Sequence, residues 1–591
     1  MLPRQFVSSR WICALFMVLA VGVFAPLTAV AQTDDPAVSN ASTESTGNEN
    51  QDTSEGQQTA GASEETAAGE TVESAPESIG LDQRVDQLFK PIAEWWGGIV
   101  FFTVTVAGFE LPFVVILLVF GAAFFTVAFA FANVRLLPLA INVVRGKYDV
   151  IEKEGEAIPT HVEVNEVDGD LVDTIRDEAE GEVSHFQALA TAVSGTVGLG
   201  NIAGVAVAVA TGGPGATFWM IVCGLLGMST KFVECTLGVK YRDVDVDGTV
   251  HGGPMYYLKR GLADLGLSRV GSVFGVLFAI FCIGGSFGGG NAFQANQAAQ
   301  QIKSLMGLPD SGSSGTIIGV VMAIMVGIVI IGGIKRIASV TEKIVPFMAI
   351  IYCLAALVII LMNIQHIPGA IGQIVSGAFT PAAGLGGVLG VLIQGFQRAA
   401  FSNEAGAGSA AIAHSAVKTK YPASEGVVSL LEPFIDTVVI CTMTALVIVL
   451  YNSGGLFEWG DVESKKVLID GVRIGGVDLT SQAFDSVLPG FRYVLTIAII
   501  LFAFSTMISW SYYGLQSWKY LFGRSLAADL TYKITFCVVV VVGAAISLGS
   551  VIDFSDAMIF AMVFPNMIGL FLLFPKVREE LRKYLSACRD L

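Results

Sequence analysis

Three short stretches carry the residue types from which a polar site can be built inside an apolar chain: "SGTVGLGNIAG" at 194–204, "SNEAGAGSAA" at 402–411 and "STMISW" at 505–510. The first contains a formal G-x-G-x-x-G at Gly198, Gly200 and Gly204. A dinucleotide cradle needs a buried strand before that pattern, a helix opening at the third glycine and an acidic residue about 20 positions later. Here the flanks are "SHFQALATAVS" and "VAVAVATGGPGATFWMIVCGLLGMSTKFVE", apolar runs of bilayer-spanning length. Glycines at this density interrupt a helix instead, and backbone freed inside a bilayer must line a cavity or a site. Amides around Gly198, Gly200 and Asn201, at the start of a half-helix, would offer donors and a positive dipole end to an anion. Unwound carbonyls and hydroxyls would offer oxygens to a cation.

The elements around these stretches are membrane helices. The 591-residue chain is 53% hydrophobic and 14% charged, against about 25% charged in soluble domains. It reads as an all-α polytopic membrane protein. Much of the net charge of −17 comes from residues 32–80, which hold eleven Asp and Glu and no Lys or Arg. The balance therefore says nothing of a nucleic-acid partner. The eight cysteines stand singly, mostly in apolar runs, and the five histidines show no ligand spacing. Neither a disulfide framework nor a zinc site is expected.

Arg4 and Arg10 before "WICALFMVLAVGVF", then Ala29-Val30-Ala31, form a signal-peptide pattern over 1–31. Residues 32–80 read as a disordered acidic extracytoplasmic leader. Residues 81–110, with Trp95 and Trp96, read as an interfacial amphipathic segment. Eleven apolar stretches follow, at 111–133, 187–211, 216–240, 272–302, 315–334, 343–365, 386–413, 427–451, 490–520, 533–551 and 555–575. Most can cross a core of about 30 Å. Lys and Arg crowd the odd-numbered connections, such as "KYRDVDVDGTVHGGPMYYLKRG", and are missing from even ones such as "ATGGPGA" and "NIQHIPGA". This asymmetry puts the N-terminus outside and the 576–591 tail in the cytoplasm of an inner-membrane protein. The connection 134–183, with its acidic insert, is then cytoplasmic. The loop 451–488 is outside despite Lys465, Lys466 and Arg473, and "VLIDGVRIGGVDLTSQAFD" within it suggests a β-hairpin.

The second span is interrupted by the first glycine stretch. The seventh is interrupted by Gly387, Gly390 and Gly395 and then by "SNEAGAGSAA". Counted from span two, these are the first and sixth helices of a ten-helix core over 184–575, a five-plus-five inverted repeat with one extra N-terminal helix at 111–133. "SHFQALATAVSGTVGLGNIAGVAVAVATGGPGATFWM", "GGPMYYL", "GGIKRIASVTEKIVPFMA", "FSNEAGAGSA" and "STMISWSYYG", in this order, resemble the alanine or glycine:cation symporters, the sodium:alanine symporter family. The resemblance implies a leucine-transporter-type fold and import of a small neutral amino acid with sodium by alternating access. No enzyme activity and no organic cofactor are implied. It places the amino acid among Thr196, Gly198, Gly200, Asn201, Gln294, Phe396, Thr506 and Trp510. By analogy with the wider fold, sodium would be held by the carbonyls of Ser194, Val197 and Phe502 and the hydroxyls of Ser505 and Thr506. Trp510 and Phe396 would wall a small cavity.

Other readings of the same residues stay open. Gln294 on an apolar span also suits a helix–helix hydrogen bond, and Ser505 and Thr506 suit bonds to the preceding turn. Glu234, Arg398, Glu404 and Asp436 read as charges at cytoplasmic span ends, either structural or gating, and Lys231 as a snorkelling cation. His185 and His414 lie far apart in sequence and form no dyad signature. With no Asp, Glu or His evident at mid-bilayer, sodium is favoured over protons. A proton-coupled carrier, or one for another small amino acid, is the alternative. Oligomeric state, stereoselectivity and stoichiometry are not legible.

Overall fold

The computed structural model describes residues 81–590, apart from 107–108, 155–163, 168–169, 174–180, 246–247, 310–312, 381–386 and 463. The expected signal peptide and acidic leader lie outside the described residues. Helix α1, Leu81–Val100, packs against the last helix of the chain, and its Trp96 ring lies 5.8 Å from Phe281. A two-stranded hairpin, Thr103–Val106 with Phe109–Pro112, then leads into α2, Phe113–Ala128, whose Phe125 stacks on Phe571.

The first broken span follows. Helix α3, His185–Thr196, starts at a reciprocal cap: Ser184 Oγ accepts the Gln187 N–H and Gln187 Oε1 accepts the Ser184 N–H. It ends at Val197. A wide π turn at Gly200–Gly204 and α4, Val205–Gly212, resume the path with a bend of 48°. Helix α5, Gly215–Lys240, is largely buried among its neighbours. Next come α6, Ser268–Phe287, a π turn at Gly288–Ala292, and α7, Phe293–Met306. Helices α8, Ser314–Ile330, α9, Gly333–Met362, and α10, Ile367–Phe379, complete this half.

The second half opens with α11, Val388–Asn403. It runs unbroken through Gly390 and Gly395, and the lack of a side chain at Gly395 lets α5 approach; the expected interruption is confined to the loop after Asn403. Helix α12, Pro422–Val428, leads through a π segment at Phe434–Cys441 into α13, Thr442–Tyr451. The hairpin expected after it is present, Val467–Ile469 with Val472–Ile474, turning at Asp470 and Gly471. Helix α14, Gly476–Val487, then packs onto the first break, where Thr480 Oγ1 donates to the Ile202 carbonyl at 3.1 Å. Helices α15, Phe491–Phe522, α16, Leu526–Ala545, and α17, Leu548–Ala587, finish the chain.

Among the described residues seven helices are long and apolar enough to cross a membrane, and eight if the bent α3–α4 pair is one span. The apolar helices α2 and α8 are shorter. This is a helical multi-pass membrane protein. The polar stretches singled out above lie where α3, α4, α11 and α15 meet its interior.

Candidate functional site

The first break is closed by side chains, not left open. Asn201 Oδ1 accepts the Gly198 N–H at 2.9 Å, and Gln294 Oε1 accepts the Leu199 N–H at 3.0 Å. Gln294 Nε2 donates to the Gly289 carbonyl at 2.9 Å. One amide side chain thus clips the break after α3 to the glycine run after α6, which satisfies backbone groups that would otherwise be bare in an apolar interior. The Gly198 amide is therefore already engaged, where the sequence suggested a free donor. The Asn201 N–H is also spent, on the Gly198 carbonyl at 3.3 Å.

The glycines differ in what they permit. Gly200 has no left-handed backbone, and a Cβ there would meet Ser402 at an ordinary 3.5 Å. Gly198 is the close-approach position: its Cβ would run into Thr506 Oγ1 and lie 3.1 Å from Gln294 Oε1. A further run, Gly288-Gly289-Gly290, was not singled out in the sequence, although "GGSFGGGNAF" carries its signal. A Cβ on Gly290 would strike the Trp510 ring, so the glycine is what allows α15 to press on this π turn.

Helix α15 brings the hydroxyls. Thr506 Oγ1 donates to the Ser194 carbonyl at 2.9 Å, and Ser194 Oγ donates to the Ser505 carbonyl at 2.8 Å. Ser505 Oγ donates to the Phe502 carbonyl at 3.0 Å. Ser194, Phe502, Ser505 and Thr506 therefore form one buried cluster of carbonyl and hydroxyl oxygens, with Val197 at the adjoining end of α3. Neutral oxygens are the donor set that suits a hard monovalent cation. Thr196 lies beside the cluster, its hydroxyl bonded back to the Ala192 carbonyl at 3.2 Å. Trp510 Nε1 donates to Glu404 Oε1 at 2.9 Å. Phe396, buried on α11, has its ring centroid 6.5 Å from that of Trp219. Phe401 also stands beside the glycine run, where a Cβ on Gly289 would meet its ring at 3.3 Å.

The second break is held by charge. Glu404 caps α11 in a left-handed conformation, φ 56°, and accepts from Ser409 and Trp510. Glu234 accepts the Gly406 N–H at 2.9 Å and Asn566 Nδ2 at 2.8 Å. Asp436, in the π segment before α13, ties the two breaks together. It accepts Asn201 Nδ2 at 2.6 Å, Ser402 Oγ at 3.0 Å and Thr437 Oγ1 at 2.7 Å. Asp436, Glu234 and Glu404 are all buried in the protein's interior.

Lys231, His185, His414 and Arg398 are also interior. Lys231 does not snorkel; it is fully buried and paired with Glu432 at 3.0 Å, because α5 is enclosed by neighbouring helices along this stretch. His414 Nε2 lies 3.4 Å from Glu432, and Glu425 bridges His414 Nδ1, at 2.5 Å, to His185. The two histidines far apart in sequence are neighbours through one carboxylate. Arg398 is buried against Asp556, on the side of the 452–490 loop.

The sodium:alanine symporter family matches residues 100–590 of the chain. The sodium/alanine symporter AgcS of Methanococcus maripaludis is 40% identical over 475 residues, covering 80% of this chain and 94% of that protein. An uncharacterized transporter of Haemophilus influenzae is 38% identical over 414 residues, 69% of this chain and 85% of its own length. The probable sodium/glutamine symporter GlnT of Bacillus subtilis is 33% identical over 476 residues, with shares of 80% and 87%. A crystal structure of MhsT with L-phenylalanine aligns with a TM-score of 0.48 and 14% identity, over 69% of this chain and 99% of that one. The relatives are carriers, and this chain is a membrane transporter, not an enzyme. It belongs to the sodium:alanine symporter family, whose work is amino acid:cation symport.

Proposed function

We propose that the protein imports alanine or glycine together with sodium, by alternating access of a five-plus-five helix core carried within eleven spans. The observation that carries this is the oxygen cluster joining the end of α3 to α15, with Thr506 bonded to Ser194 beside Gly198. In this reading the carbonyls of Ser194, Val197 and Phe502 and the hydroxyls of Ser505 and Thr506 hold sodium. The amino acid lies against the Gly198–Asn201 break, with Thr196, Gln294 and Trp510 around it, and its carboxylate faces the start of the π turn. The bulk of Trp510 pressed on the glycine run favours a small side chain. In this reading Phe396, packed near Trp219, walls the cavity together with Trp510.

A second reading rests on Asp436. A fully buried carboxylate bonded to Asn201 and Ser402 is suited to take up a proton as well as to neutralise a cation. Uptake of labelled alanine into proteoliposomes separates the two. Sodium coupling predicts that an inward sodium gradient drives accumulation and that a pH gradient without sodium does not. Equal accumulation driven by protons alone transfers the coupling to Asp436. In the same reading the N-terminus and the 452–490 loop face outward. Cysteine at Ser453, which is exposed, should then react with an impermeant thiol reagent from outside, and cysteine at the exposed Lys418 should not. Thr419 beside it is a poor probe because it is buried.

A further inference from the structure

A cavity of about 180 Å³ lies between α4, α11, α17 and the loop after α13, lined by Thr211, Gln394, Gln397, Arg398, Lys465 and Asp556 among others. It is separate from the helix breaks. Arg398 and Asp556 are 4% and 7% exposed and meet through Nη2 and Oδ2. That contact leaves both half satisfied: Nε and Nη1 of Arg398 and Oδ1 of Asp556 are buried with no hydrogen-bond partner among the described residues. A guanidinium keeps its proton and its five donors, and unpaired buried donors and acceptors are costly. The open groups are complementary, donors on one residue and an acceptor on the next. A ligand that satisfies both presents a carboxylate and an ammonium a few ångströms apart.

We propose that this cavity is a second seat for a zwitterionic small amino acid, its carboxylate on the free N–H groups of Arg398 and its ammonium on Asp556 Oδ1. The proposal rests on the symport reading above for the identity of the ligand. Cavities of roughly 150 Å³ accept a benzene ring, which has as many heavy atoms as alanine. The loop contributes Lys465, paired with Asp553 at 2.5 Å, so the cationic and acidic lining continues to the loop side. Two elements connect the seat to the breaks. The Arg398 guanidinium stands 5.4 Å from the Phe401 ring centroid, and that ring packs edge-on to Phe293 at 5.3 Å, next to the glycine run. On α17, Asp556 lines the cavity while the adjacent Ser555 backbone would lie 3.0 Å from a Cβ on Gly288. An amino acid seated here thus lies against residues that pack on the glycine run, on the side of the long loop.

The test is equilibrium binding of labelled alanine to the full chain in lipid nanodiscs with saturating sodium. The double variant Arg398→Gln/Asp556→Asn removes both charges together, so neither is left bare. Alanine bound per chain at saturation should fall by about half in it, and by the complementary half in Asn201→Ala. Val462→Trp fills the same cavity from an exposed loop position and keeps the ion pair; it should reproduce the loss if the double variant does not fold. Wild-type capacity that is unchanged in both cavity variants, and lost entirely in Asn201→Ala, overturns the second seat and leaves the central reading standing. A wild-type protein that binds no alanine at all overturns the symport reading, and the seat with it.

Discussion

The two helix breaks are built from opposite materials. After α3 the freed amides go to neutral side chains, Asn201 and Gln294, and the oxygens nearby are carbonyls and hydroxyls. After α11 the corresponding work falls to carboxylates, Glu404 in a left-handed cap and Glu234 on the Gly406 amide. Below the second break lies a layer of further charge, Lys231, Glu432, His414 and Glu425. A neutral break can admit a cation and a zwitterion without rearranging fixed charge. A charged one is costly to open, because any partner withdrawn leaves a buried ion. Asp436 stands between them, bonded to Asn201 on one side and Ser402 on the other. In the proposed reading the difference suits the first break to ligand binding and the second to structural holding.

The largest effect should come from breaking the charged side. Lys231→Met leaves Glu432 buried without its cation and should cost about 3–5 kcal/mol, read as loss of folded protein or a large fall in melting temperature. The double variant Lys231→Met/Glu432→Leu should recover most of that loss; no recovery would mean the pair does more than neutralise itself.

Next in size is the contrast between two glycines of the neutral break. Gly198→Ala forces a methyl into Thr506 and Gln294 and should cost about 1–3 kcal/mol along with alanine uptake. Gly200→Ala makes only ordinary contact with Ser402 and should shift stability by no more than about 0.5 kcal/mol. The reverse order in a melting and uptake comparison would relocate the close approach. Smaller again is Thr506→Val, which removes one hydroxyl from the oxygen cluster. Sodium for half-maximal uptake should rise by about five- to tenfold, the equivalent of roughly 1 kcal/mol, with melting little changed.

The smallest effect lies outside both breaks. Burial alone would raise the Asp243 carboxyl, but Arg524 and Arg260 beside it overcome that and hold it below the usual carboxylate range. A group lowered in the folded state stabilises the protein above its unfolded value, about 3.9, and that contribution is lost as the pH falls through the folded one. Asp243→Asn should therefore melt slightly lower than wild type near neutrality and converge with it in acid.

Much of the framework was legible because a bilayer imposes long apolar runs that hydropathy along the chain reveals. Helices lie in the eleven apolar stretches, and the break at Gly198–Gly204 and the hairpin around Asp470 and Gly471 stand where glycine and turn chemistry put them. What escaped was pairing across sequence. Asp436 looks like the end of a span, Lys231 like a snorkelling cation and the two histidines like unrelated residues when read along the chain, because partners such as Asn201, Glu432 and Glu425 come from distant parts of the sequence. Which glycine faces Thr506 depends on how α15 is rotated, and hydropathy does not encode that rotation.

The central claim is that sodium and alanine share the neutral break, so their binding must be linked. Calorimetry on the purified chain measures it directly: the factor by which saturating sodium tightens alanine must equal the factor by which saturating alanine tightens sodium. The account predicts a coupling of at least roughly fivefold in both directions, about 1 kcal/mol, and its loss in Thr506→Val. Alanine affinity that is the same in sodium and in choline would contradict it.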